Sequence, residues 1–192
     1  DIIVLKNNKG SEDNRVRKLD YSIQFSKLFY ERFINEEEIT LFSPHEVPEL
    51  YEAWGTPEFD ELYKTAERKL SIKKKKVNAQ ELFFDILKER AETGRIYIMN
   101  IDHCNSHSSF KDRVYMSNLC QEITLPTDPI QHIDGEGEIA LCILSAINVG
   151  KIDKRDELEE LCDLAVRSLD EIIDHQKYPV MAAEISTKAR RS

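Results

Sequence analysis

The sequence predicts an α/β fold in which buried parallel strands alternate with amphipathic helices. Two continuous apolar runs carry the strand half of that expectation: "RIYIMNIDHCN" (95–105), rich in Ile and Tyr, and "GEIALCILSAINVG" (137–150), bounded by glycines. Neither keeps the polar alternation of a half-solvated strand, which is how strands covered on both faces read. The helical half rests on "DELEELCDLAVRSLDEIIDHQ" (156–176), where Leu158, Leu161, Leu164, Ala165, Leu169 and Ile172 form one apolar stripe. With 192 residues, 41% of them hydrophobic, the chain supplies one globular core or two small ones.

The elements follow in order. "DIIVL" (1–5) is a short strand-type run, and the polar loop "KNNKGSEDNR" follows it. In "YSIQFSKLFYERFI" (21–34), Ile23, Phe25, Leu28, Phe29 and Phe33 recur at roughly helical spacing, which predicts a helix over the whole stretch. Pro44 breaks the next run, and "VPELYEAW" reads as a helix with Pro48 in its first turn. "PEFDELYKTAERKL" (57–70) is helical as well, and "NAQELFFDILKERAETG" (78–94) is a helix closed by Gly94. The lysine run at 73–76 is read as solvated surface. The expected organisation is therefore helical segments over about 21–94, strand, loop and strand over about 95–150, and a helix over about 156–176. There is no internal repeat.

Charge and composition exclude several functions. A formal net charge of −9 does not suit a nucleic-acid surface, which needs a basic face. No apolar run approaches a membrane span, and no basic segment leads into a signal-type apolar region. The chain starts on Asp1 and stops on "TKARRS", so both ends look cut. Cys104, Cys120, Cys142 and Cys162 lie 16, 22 and 20 residues apart, which matches no paired-cysteine zinc pattern. Without a secretion signal they point to a reducing compartment, the cytoplasm.

The segment "SNLCQEITLP" (117–126) collects unusual chemistry. In an extended chain Asn118, Cys120 and Glu122 would share one face while Leu119, Ile123 and Leu125 pack. A carboxylate beside a thiol opposes thiolate formation, so Cys120 is poorly placed as an ionic nucleophile. The grouping suits hydrogen-atom transfer by the thiol, with Glu122 as acid/base. The other cysteines have plainer readings. Cys162, on the apolar helix, is a small hydrophobe, and Cys142, inside an apolar run, has a core role by default. Cys104, with His103 and His107, forms at best half of a zinc site, and a polar loop is the better reading.

"SNLCQEITLP" followed by "GEIALCILSAINVGKI" resembles the active-site region of the large, alpha subunit of class I ribonucleotide reductase. "VLKNNKGSEDNRVRKLDYSIQ", "EITLFSPHEVPELYEAW", "ERAETGRIYIMNIDHCNSHS" and "LAVRSLDEIIDHQKYPV" read like that family in the same order, closest to its bacterial and phage members. The resemblance covers nearly the whole chain, while family chains are several times longer. It implies that residues 1–192 are part of a ten-stranded α/β barrel, two five-stranded parallel halves set antiparallel, with a finger loop through the middle. "SNLCQEI" resembles the loop tip. By that resemblance Cys120 becomes a thiyl radical and removes the ribose 3′ hydrogen, Glu122 takes the 3′-hydroxyl proton, and Asn118 hydrogen-bonds the substrate. All three contact substrate. Cys142 resembles one of two redox cysteines that reduce the 2′ position and become a disulfide as water leaves. The activity implied is reduction of ribonucleoside diphosphates to deoxyribonucleoside diphosphates for DNA synthesis.

The same resemblance implies no metal and no cofactor within this piece. It implies a metal-containing small (beta) subunit as radical source, ATP and dNTP effectors, thioredoxin or glutaredoxin as external reductant, and a homodimer of the large subunit, with no nucleic-acid or membrane partner. Several family parts have no match here: the upstream partner of Cys142, the downstream relay tyrosines, the phosphate loop, the C-terminal cysteine pair, the N-terminal allosteric domain and the specificity-effector loop. "KARRS" carries Ala189 where the family's turn has glycine, which questions that turn's backbone. The 192-residue chain alone is expected to be inactive. Two other classes are weighed: an inactive fragment or interaction module derived from the family, which the retention of Asn118, Cys120, Glu122 and Cys142 opposes, and a metal-binding loop built on His103, Cys104 and His107.

Overall fold

The computed structural model describes residues 11–14, 16, 19–132, 135 and 137–191. The run 1–5 and most of its polar loop lie outside the described residues. The chain divides into two units, Asp1–Thr124 and Leu125–Ser192.

In the first unit the stretch read as one helix is a strand followed by a helix: β1 (Tyr21–Phe25) and α1 (Lys27–Ile34). Ser26 decides the boundary. Its backbone is extended and its side chain accepts the Phe29 N–H at 3.3 Å, an N-cap that stops the helix from extending backward. Ile23 and Phe25 sit two apart, a spacing that a strand face and a helix pattern both accept over so short a run. β1 pairs in parallel with β4 (Ile96–Asn100), in register from Tyr21↔Ile96 to Phe25↔Asn100. The expected strand at 95–105 thus ends at Asn100, and a short helix, α5 (Ile101–Ser106), follows directly.

A second pair, unforeseen from the sequence, is antiparallel: β2 (Glu38–Phe42) with β3 (Lys74–Asn78). The lysine run is therefore largely a strand, its charges spent at a sheet edge, where they discourage pairing with other chains. Lys76 reaches Glu38 at 3.2 Å, and Lys74 Nζ donates to the carbonyls of Glu67 at 2.5 Å and Lys69 at 2.7 Å. Between these strands lie α2 (Pro48–Glu52), with Pro48 in its first turn as expected, and α3 (Phe59–Arg68). α4 (Ala79–Thr93) starts on Asn78, whose side chain accepts the Glu81 N–H at 3.0 Å, and stops on Gly94 at φ 67°. The core of this unit is strongly aromatic: Phe25, Phe29 and Phe33 meet Phe83, and Trp54 meets Phe59.

The second unit departs most from expectation. The run 137–150 forms no strand; its only regular piece is a 3-10 turn at Val149–Lys151. A strand is held by its neighbours, and among the described residues this unit contains no other strand to pair with it. The predicted helix is present as α6 (Asp156–His175), but Leu158, Leu161, Leu164 and Ile172 are exposed, and so is Cys162, against its reading as a buried hydrophobe. α7 (Met181–Lys188) supplies the buried residues Ala182, Ala183, Ser186 and Thr187. Ile139 is held against it, its N–H donating to the Ala182 carbonyl at 3.1 Å and its carbonyl accepting from Ser186 Oγ.

The turn after α7 answers the question raised by Ala189. That residue has φ −79°, which needs no glycine. The left-handed residue is Arg190, at φ 60°. Arg190 N–H donates to Thr187 at 2.8 Å and Arg191 N–H to Ser186 at 3.0 Å, the paired bonds of a Schellman close. The Arg190 guanidinium is fastened to Asp170 at 2.7 Å and Asp174 at 3.0 Å on α6. The molecule is mixed α/β, and neither sheet is closed among the described residues.

Candidate active-site loop

The segment that leads into "SNLCQEITLP" belongs to no sheet, so side chains must satisfy its backbone. Asn105 on α5 does most of this. Its Oδ1 accepts the Val114 N–H at 2.8 Å, and its Nδ2 donates to the Val114 carbonyl at 3.0 Å and the Ile101 carbonyl at 3.2 Å. Val114 is completely buried. One residue on, Gln24 of β1 donates to the Tyr115 carbonyl at 3.0 Å while its Oε1 accepts from Trp54 Nε1 at 2.6 Å. Arg113 lies over the Tyr115 ring at 4.1 Å and donates to the Glu52 carbonyl at 2.5 Å. The stem of the loop is thus bolted to β1, α2 and α5.

Beyond that stem the chain is not extended, which corrects the expectation that alternate residues share a face. It reverses. Gln121 stands at φ 69°, and its N–H reaches back to the Asn118 carbonyl at 3.2 Å. A left-handed residue with a side chain is uncommon and costs about 1–2 kcal/mol, so the reversal must be held by its surroundings. The holding bonds are local. Gln121 Nε2 donates to the Asn118 carbonyl at 2.6 Å; Asn118 Oδ1 accepts the Ile123 N–H at 3.1 Å and the Ser117 hydroxyl at 3.0 Å; the Ser117 hydroxyl also reaches the Ile123 carbonyl at 2.5 Å.

This turn brings Asn118 and Cys120 onto one reversal with Glu122 just past it. Cys120 and Glu122 are exposed, and Asn118 is half-buried. Tyr97 of β4 is a partner that the sequence reading missed. Its interaction with the Cys120 side chain lifts the phenol above its ordinary value. Cys142 lies in the second unit and is exposed, contrary to the core role its apolar run suggested. Arg191 secures the neighbouring part of that run through Glu138 at 2.8 Å.

Two other places could compete as sites. A cavity of about 1020 Å³ opens in the first unit, walled mainly by apolar residues such as Phe25, Phe29, Ile39, Val47 and Leu50. Two of its polar side chains are used internally: Gln24 as above, and the Tyr63 hydroxyl, which donates to the Thr40 carbonyl at 2.7 Å. These walls carry no Lys or Arg to hold a phosphorylated ligand, and neither Asn118, Cys120 nor Glu122 lines them. At the histidine cluster, His107 Nδ1 lies 3.1 Å from the His103 carbonyl and 3.0 Å from Ser106 Oγ, and burial pushes the Cys104 thiol up. Among the described residues no group of three or more His, Cys, Asp or Glu side chains is placed to hold a metal ion. The same described residues contain no helix long and apolar enough to cross a membrane.

Comparison with known proteins adds an independent line. The family model described as "Ribonucleotide reductase, barrel domain" matches residues 1–192. The ribonucleoside-diphosphate reductase subunit alpha of Haemophilus influenzae is 58% identical over 197 residues, covering 100% of this chain and 26% of that protein. The subunit alpha of Enterobacteria phage T4 is 44% identical, over 98% of this chain and 26% of its own length. The large subunit of Plasmodium falciparum is 36% identical, over 97% of this chain and 23% of its own length. The chain therefore spans about a quarter of the length of the curated relatives it matches.

Proposed function

The chain belongs to the ribonucleotide reductase barrel-domain family, and from that premise we propose that it carries the thiyl-radical site of a ribonucleoside-diphosphate reductase alpha subunit. The observation that supports this best is the reversal at Asn118–Gln121, which carries the Cys120 thiol exposed on a loop whose stem Asn105 and Gln24 pin.

In this reading the Cys120 sulfur, as a thiyl radical, takes the hydrogen atom from C3′ of the ribose: an S–H bond forms as the C3′–H bond breaks. Glu122 accepts the proton of the 3′-hydroxyl, and Asn118 hydrogen-bonds the substrate. Cys142 and a second thiol of the full-length polypeptide supply two electrons and two protons and close into a disulfide, as the 2′-hydroxyl departs as water and C2′ gains a hydrogen. Glu122 then gives its proton back to the 3′ oxygen and Cys120 returns its hydrogen atom to C3′, becoming a thiyl radical again. The radical is supplied by a metal-containing small subunit. Thioredoxin or glutaredoxin reopens the disulfide, ATP and dNTPs act as effectors, and the full-length subunit works as a cytoplasmic homodimer.

The test is Cys120→Ala in the full-length alpha subunit, assayed with its small subunit. Nucleotide reduction is expected to vanish while the melting temperature and nucleotide binding stay near those of the parent. Continued turnover would sink the assignment.

A further inference from the structure

Two bonds of the reversal, both to the Asn118 carbonyl, are donated by a residue to which the proposed chemistry gives no role. Gln121 lies between Cys120 and Glu122, in the left-handed region at φ 69°. Its carboxamide folds back on its own turn: Nε2 donates to the Asn118 carbonyl at 2.6 Å, the oxygen that also accepts the Gln121 backbone N–H at 3.2 Å. Two donors of one residue thus converge on one acceptor and close the ring of the turn from both backbone and side chain. The other end of the carboxamide, Oε1, is buried without a hydrogen-bond partner among the described residues. A buried acceptor left in that state is costly, so the side chain is not there for its own comfort. It is held by what its nitrogen does.

We propose that Gln121 is a positioning residue: its side-chain bond to the Asn118 carbonyl fixes the left-handed turn, and the turn sets the Cys120 sulfur and the Glu122 carboxylate relative to Asn118. The inference rests on the radical-site reading above. It adds that the register of the three reacting groups is set by a side chain that need not touch substrate. Radical abstraction and proton transfer each demand close alignment, and a displacement of about 1 Å can cost about a hundredfold in rate. Loss of the clamp should therefore appear in kcat, with KM little changed, because the turn is displaced and the binding surface is not removed.

Two substitutions in the full-length alpha subunit separate the side chain from the backbone. Gln121→Leu keeps most of the bulk and loses the carboxamide. Gln121→Gly loses the carboxamide but adopts the left-handed conformation without strain. Steady-state reduction of a ribonucleoside diphosphate is measured with the small subunit present, alongside melting temperature and nucleotide binding. Both variants are expected to lose about 10- to 100-fold in kcat, with KM within about twofold of the parent. If Gln121→Gly turns over like the parent, backbone conformation alone is required and the proposal is overturned; parental kcat in both variants overturns it too. Should Gln121→Leu fail to fold, the glycine variant carries the test by itself. Cys120→Ala is run in parallel: if it is inactive while the Gln121 variants are unimpaired, only the positioning role is lost, whereas turnover in Cys120→Ala removes the site itself.

Discussion

Glu122 is exposed just beyond a left-handed residue, so the local turn, not strand alternation, decides where its carboxylate goes. If it takes the 3′-hydroxyl proton, an amide of the same shape cannot replace it. Glu122→Gln in the full-length subunit is expected to lower kcat by about 10²–10⁴, the usual worth of a positioned acid/base group, with substrate KM little changed. A kcat within twofold of the parent in steady-state assays would remove Glu122 from that role. At this scale "SNLCQEITLP" stood out as the candidate segment because an amide, a thiol and a carboxylate crowd into five residues. Their arrangement was not legible. The extended pattern that seemed to align them is broken by Gln121, and nothing in a single glutamine announces a positive φ. Nor could sequence spacing reveal the partners: Gln24 reaches Tyr115 across 91 residues, and Tyr97 meets Cys120 from a strand in another part of the chain. Asn105, which carries the stem, was overlooked beside more conspicuous histidines.

Between elements, the most consequential polar contact is the one that fastens α1 and α3 to the β2–β3 pair. Arg32 grips Glu67 with two bonds at 2.7 and 2.5 Å, and the Thr40 hydroxyl donates to the same carboxylate at 2.6 Å. Burial pushes the Glu67 carboxyl up, but the bonds from Arg32 and Thr40 outweigh it and hold the group below its ordinary 4.5. The sign follows: this stabilisation is present above pH 4.5 and is lost as pH falls through the lowered value. Glu67→Ala leaves Arg32 without its partner. The expected cost is about 3 kcal/mol, the lower end for a broken buried pair, because 14% and 16% of the two side chains still reach solvent. By hydrogen exchange on the full-length alpha subunit, the β2–β3 amides of the variant should lose about a hundredfold in protection at neutral pH, and the difference from the parent should shrink below pH 4.5. Unchanged protection would show that the apolar contacts alone hold the pair. Helices were legible at this scale because they carry punctuation: Pro48 and Gly94 act where the sequence placed them, and the structure adds Asn78 as the cap of α4. The strands β2 and β3 were not, since a lysine run and a short apolar run acquire strand character only by pairing with each other.

At the scale of the whole molecule, the α/β class was legible, and the parallel β1–β4 pair realises it. The second strand expected at 137–150 depended on neighbours that the residues around it do not supply. The described sheets have two strands each, a size that is marginally stable in water. Large apolar side chains stand in solvent in both units, among them Leu70, Phe84 and Met116 in the first and Leu144, Leu164 and Val166 in the second. Patches of that kind mark surfaces that other parts of a polypeptide cover, or that aggregate when nothing does. The relatives carry about three quarters of their length outside the matched region, which is ample chain to cover them. The 192-residue polypeptide by itself is therefore expected to melt without a sharp transition, to bind a hydrophobic dye, to lack near-ultraviolet dichroism from Trp54 and the Phe25–Phe83 cluster, and to reduce no nucleotide. Calorimetry and dichroism on the purified polypeptide check this directly. A single cooperative transition with a strong aromatic signal would mean that the core around Phe25, Phe29 and Phe83 closes on its own, and the exposed leucines would then have to be explained as a surface rather than as an unfinished interior.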